Sequence, residues 1–193
     1  MNFSIPRKQP PARSQQKKTL HKFLVARSDI GAALETCKLF KSTVTSFKDD
    51  LYYPLFAAIV VCYARPFTNN EPYGALPKKW GAFDNPGMQD THNRILRARH
   101  ELIAHSDWAV RQTMVVPPGV VFGKSGDKEL KSSRIGTQTN YYLYPIEFTD
   151  QMQATALNLG RRLNAEVESL VSDLYDGMEL PNCSFNLRID DGL

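Results

Sequence analysis

Cysteine is scarce in this chain: Cys37, Cys62 and Cys183 are all that its 193 residues contain. An odd number with no CxxC or Cys/His spacing excludes a disulfide framework and a zinc module, and points to a reduced compartment. Long apolar runs are also missing. No stretch reaches about eighteen uncharged apolar residues, and the basic N-terminus has no continuous apolar segment, so neither a membrane span nor a secretion signal is expected and a cytoplasmic location is. Residues 1–27 have no carboxylate but seven basic residues, Arg7, Lys8, Arg13, Lys17, Lys18, Lys22 and Arg27. Of the total charge of +4, this leaves −3 on residues 28–193. The basic character is therefore local: a solvated arm, or one that touches RNA or an acidic partner.

What is present fits one globular domain. Apolar residues make up 42% and charged residues 23%, well away from the composition of disorder. Residues 1–18, with Pro6, Pro10 and Pro11 and no periodicity, read as a mobile basic arm. The helical domain is expected over 19–178 and a tail over 179–193. Leu20, Phe23, Leu24, Ile30, Leu34, Cys37, Phe40, Val44 and Phe47 recur at steps of three and four, the mark of a long first helix, with Gly31 as its weak spot. A second helix runs from Leu51 to Arg65 and is stopped by Pro66; its apolar residues lie all round, which predicts burial on most sides. Residues 66–87 are rich in Pro and Gly and should form a structured loop pinned by Leu76, Trp80 and Phe83.

The third helix is expected from about Met88 to His105. Beyond it, Gln112–Val116 and Val120–Phe122 flank Pro117-Pro118-Gly119 and suggest a small β-hairpin, with 123–139 as an exposed loop and Asn140–Tyr144 as a further short aromatic run. The last helix carries Met152, Ala156, Leu159, Leu163, Val167, Leu170 and Leu174 at alternating steps of four and three, with Thr149 as its cap. The pattern reads as all-α: four helices, with a small β-hairpin inserted between the third and the fourth.

The third helix holds the residues that can do chemistry. At about 100° per residue from Ile95, Leu102 falls at roughly −20°, Ile103 at roughly 80° and Leu96 at roughly 100°, an apolar stripe facing the other helices. Arg99, at about 40°, lies inside that stripe. An inward guanidinium must meet an acid, reach an edge or line a cavity that receives an anion. Arg94, Arg97, His100 and Glu101 fall on the solvated side, with Arg97 and Glu101 as an i,i+4 pair. His105 borders the stripe about 9 Å further along the axis, so both side chains can edge one groove. Such a pair suits cleavage of a phosphodiester by the neighbouring ribose hydroxyl, with the imidazole moving the proton and the cation holding the phosphate.

Each residue also has a plainer role. His105 can interact with the helix dipole and Arg99 can sit in an ion pair. Asp107 can orient His105 or cap the next turn. Arg65 can add a second cation to the cleft, but helix-end solvation or dipole pairing suits it better. His92, on the same face as Arg99, reads as structural, and Tyr63, Tyr141 and Tyr142 as packing before base stacking.

The segment Leu96-Arg97-Ala98-Arg99-His100-Glu101-Leu102-Ile103-Ala104-His105-Ser106-Asp107 resembles the signature of the HEPN superfamily. In that signature an Arg followed by a polar residue precedes a His, often within an Ala-His-x-Asp ending. Arg99, His100 and His105 match with five residues intervening, although His100 stands where Asn or Asp is commoner. The resemblance implies an antiparallel four-helix bundle with the motif late in the third helix. It also implies homodimers whose paired motifs cut RNA without metal or cofactor, with Arg99 and His105 catalytic, His100, Asp107 and Arg65 in support, and a role as a toxin or in antiphage defence with an antitoxin or regulatory partner. The alternative on the same scaffold is a catalytically inactive HEPN-like module for dimerisation, RNA binding or protein binding.

Overall fold

The structure is a computed structural model that describes residues 13–69, 74–104, 111–125, 127–141 and 144–187; of these, the side chains at 102–104, 111–113, 122–125 and 138–141 lie outside the description. The fold is mostly helical, with α1 (Arg13–Thr43), α2 (Tyr52–Ala64), α3 (Pro86–Ala98) and α4 (Phe148–Tyr175), and four short strands between α3 and α4. All four helices supply one core, which Leu76 and Trp80 from the connecting loop complete.

Helix α1 buries Leu20, Phe23, Ile30, Cys37 and Phe40, the stripe read from the spacing, but it starts at Arg13, so the expected arm is helical from that residue on. Its Lys41 pairs with Asp150 (2.5 Å), Ile30 and Leu34 lie beside Gly160, and Arg13 donates to the Met178 sulfur. Those three contacts set α1 and α4 antiparallel along their whole length. In the turn after α1, Asp49 accepts from the Thr45 and Ser46 amides (2.6 and 2.8 Å).

Helix α2 ends before Pro66 as expected, passing into a 3₁₀ turn, Arg65–Phe67. One face, Tyr52, Phe56, Ile59, Val60 and Tyr63, is fully buried. Tyr53, Leu55 and Cys62 pack partly buried against the same core, and within the helix Pro54 alone is exposed, so most of its circumference is at least partly covered.

The loop is pinned as read from the sequence. Trp80 packs edge-on against Phe23 (5.1 Å), Leu76 donates its amide to Pro66 (2.7 Å), and Gln89 binds the Phe83 amide and the Gly81 carbonyl.

Strand pairing differs from the expected hairpin. Residues Arg111–Val116 (β1) pair with Gly136–Tyr141 (β4), and Val121–Ser125 (β2) with Lys128–Lys131 (β3), both antiparallel. The segment expected to be a loop is therefore largely strand. Ser125 and Lys128 are ladder partners at the end of the β2–β3 pairing. Pro117-Pro118-Gly119 interrupts the ribbon instead of closing it.

Thr149 is not the cap of α4. It lies inside the first turn, 2% exposed, and no side chain caps the helix. Tight turn bonds from Phe148 to Pro145 and from Thr149 to Ile146 satisfy the free amides instead. The tail folds back: Phe185 meets Tyr175 edge-on (5.8 Å) and Leu187 packs against the core. No helix among the described residues is long and apolar enough to cross a membrane.

Candidate functional site

Helix α3 opens on Asn85, whose side chain accepts from the Gly87 and Met88 amides (2.9 and 3.1 Å), with Pro86 in the first turn, where its missing N–H costs nothing. Thr91, His92, Ile95 and Ala98 form its buried stripe. Arg99 follows directly and is partly buried, as its place in the apolar stripe implies, while Arg97 and His100 are exposed.

From Arg99 the helix changes pitch. Arg99–Ala104 is wound as a π-helix, in which bonds run from i to i+5 and each turn takes more residues. The uniform 100° layout therefore holds only as far as Ala98. One result is visible: the expected Arg97–Glu101 pair is not among the ion pairs of the described residues. Isolated π turns inside α-helices concentrate at functional sites.

No carboxylate among the described residues lies within ion-pair distance of Arg99. His105 and Asp107 lie outside the described residues, as does Tyr142, so their geometry relative to Arg99 is not part of the structure; for Tyr141 only the backbone is described. Arg65 is placed beside α1. It pairs with Asp29 of α1 (3.4 Å) and sits two residues beyond Tyr63, which meets His92 near the start of α3. Arg99 lies seven residues the other way, on the order of 10 Å along the axis.

His92 is a core residue. It is 4% exposed; its Nδ1 hydrogen-bonds the Tyr63 hydroxyl (3.0 Å), and the rings of Phe67 and Phe83 stand 4.7 and 5.4 Å away. Burial, with the Arg162 charge behind it, pushes its pKa down to about 4, so the ring is neutral at physiological pH. Tyr63 is fully buried, which leaves it no face for a base.

Two arginines do more than the sequence suggested. Arg94, read as solvated, lies over the Phe148 ring (4.1 Å) and near Tyr144 (5.4 Å). Arg162 of α4 donates to the carbonyls of Lys79 and Ala82 (3.1 and 3.0 Å) and stacks on Trp80 and Phe83 (both 5.3 Å), clamping the loop over His92. Its one legible signal was its place beside the Leu159–Leu163 seam. Comparison of the chain with family models, characterised proteins and solved structures finds no match.

Proposed function

We propose that this chain is a metal-independent endoribonuclease of the HEPN type, an antiparallel four-helix bundle acting as a cytoplasmic homodimer. The observation that carries the reading is Arg99: a partly buried guanidinium at the start of a π turn, with no carboxylate partner among the described residues. A cation so placed is ready for an anion that arrives from outside.

In the reaction, His105 takes the proton of a ribose 2′-OH and the 2′-oxygen attacks the adjacent phosphorus. The bond to the 5′-oxygen breaks, that oxygen receives a proton, and a 2′,3′-cyclic phosphate remains. Arg99 holds the non-bridging oxygens as charge builds on them, with His100 and Asp107 in support. DNA lacks the attacking hydroxyl and is left intact. Toxin or antiphage action, under an antitoxin or a regulatory protein, is the setting such an activity suits.

Purified chain incubated with mixed RNA in EDTA should release fragments with cyclic phosphate ends, and Arg99→Ala or His105→Ala should each lower the rate at least about 100-fold, the scale of a lost acid–base or electrostatic group. Cleavage that survives both substitutions refutes the assignment. Intact RNA with wild-type chain, alongside a stable dimer, transfers the scaffold to the inactive-module reading.

A further inference from the structure

We propose that the β-ribbon between α3 and α4 is an arm that grips single-stranded RNA by its phosphates; that it delivers this RNA to Arg99 and His105 rests on the nuclease reading, whereas the grip does not. Residues 111–141 hold Arg111, Lys124, Lys128, Lys131 and Arg134 against Asp127 and Glu129, a net +3. Residues 28–110 are balanced, and 142–193 carry −6. Beside the +7 of residues 1–27, the ribbon is thus a second and smaller cationic region, set between segments that are neutral and acidic, an arrangement that draws in a polyanion.

Packing ties the ribbon to the helices only weakly. Among its described side chains Val116 alone is buried, at 6% exposed, none belongs to the helical core, and a lone two-stranded ribbon is marginal in water. Lys128, Lys131 and Arg134 are all exposed. Among the described residues they make one ion pair, Lys131 to Glu129 at 3.6 Å, with both side chains more than half exposed, and water screens such a pair until little of it remains. The sequence of β1 and β4 adds Gln112, Thr113, Thr137, Gln138, Thr139 and Asn140, residue types that bond phosphate and sugar without reading a base. The ribbon also starts only seven residues after the π turn.

A protein is the competing occupant, because Val115 and Ile135 are 66% and 72% exposed. The net charge favours RNA, since five basic residues outnumber two acids and their field acts over distance.

The test uses the full chain and a mixed-sequence 2′-O-methyl oligonucleotide, which has no free 2′-OH and cannot be cut, titrated at several salt concentrations. Replacing Lys128, Lys131 and Arg134 together by Gln should weaken binding about tenfold or more at low salt and reduce the slope of log K against log salt by about 2, at roughly 0.7 per phosphate contact on a single strand. Val115→Ser with Ile135→Ser should leave the affinity within about twofold, since it removes no phosphate contact. An unchanged slope in the basic-residue variant overturns the proposal, as does absence of binding by wild type, or binding lost only in the apolar pair. Arm-dependent binding by a chain that cuts no ordinary RNA keeps the arm and defeats the nuclease reading alone.

Discussion

At the scale of single residues, burial decides which titratable group matters for stability. His92 has its pKa depressed from 6.5 to about 4, so the folded state holds the neutral ring. The stability that depends on it is complete above pH 6.5 and is lost as pH falls from there to about 4, on the order of 3 kcal/mol across that window. Urea midpoints should drop over that range, and the His92 ring resonances should stay unshifted between pH 8 and 5.5; an imidazole that titrates near 6.5 in the folded chain refutes this. Space around glycines separates three further substitutions. A Cβ on Gly81 would lie 2.8 Å from His92 Nε2, and the ring is held by Tyr63, Phe67 and Phe83, so Gly81→Ala should cost about 1–3 kcal/mol. On Gly160 a Cβ would meet Ile30 and Leu34 at 3.6 and 3.8 Å, and on Gly31 nothing within 4 Å. Gly31→Ala and Gly160→Ala should therefore each raise the thermal midpoint, with up to about 1 kcal/mol from helix propensity.

At the scale of elements, periodicity made α1 and α4 readable because their buried stripes run through about six turns each. Leu20 to Phe40 and Met152 to Leu174 lie inward as their spacing required. Boundaries were less legible. Helix α1 gains its first turns from residues with no apolar period, and α4 starts on backbone turn bonds where a side-chain cap was expected. The change to π winding at Arg99 left no mark in the amino-acid pattern, since hydrophobic period reports a mean turn and not which carbonyl an amide selects. It alters the angular relation that motif spacing was taken to imply. The inward position of Arg99 survives, because the α-helix holds to Ala98; the direction of anything beyond it no longer follows from 100° steps.

For the whole molecule, the helical core is expected to fold without the ribbon. Arg111 and Tyr141 are ladder partners, so their Cα atoms lie within about 5.5 Å and a short Gly-Ser bridge can replace the segment between them. A chain so shortened should keep its helical circular dichroism and its unfolding midpoint, whereas Leu159→Ala, at a fully buried contact, should lower stability by about 2–5 kcal/mol. Collapse of the shortened chain to an unfolded state would tie the ribbon to the core after all. Charge is also arranged at this scale. Since α1 and α4 are antiparallel, the basic first half of α1 runs along the half of α4 that carries Glu166, Glu168 and Asp173, with Asp176 just beyond its end. Part of the N-terminal excess therefore has its acidic counterpart within the same chain.

The amino-acid order alone determined four helices, their inward stripes, the pinned loop and a partly buried arginine in a motif that resembles a nuclease signature, because each is a local or periodic consequence of which side chains avoid water. Tertiary structure alone decided that Arg65 belongs to Asp29, that Arg162 clamps the loop over a neutral His92, and that β1 pairs with β4. Those outcomes depend on which distant segments come within a few ångströms of each other, and spacing along the chain carries no such distances.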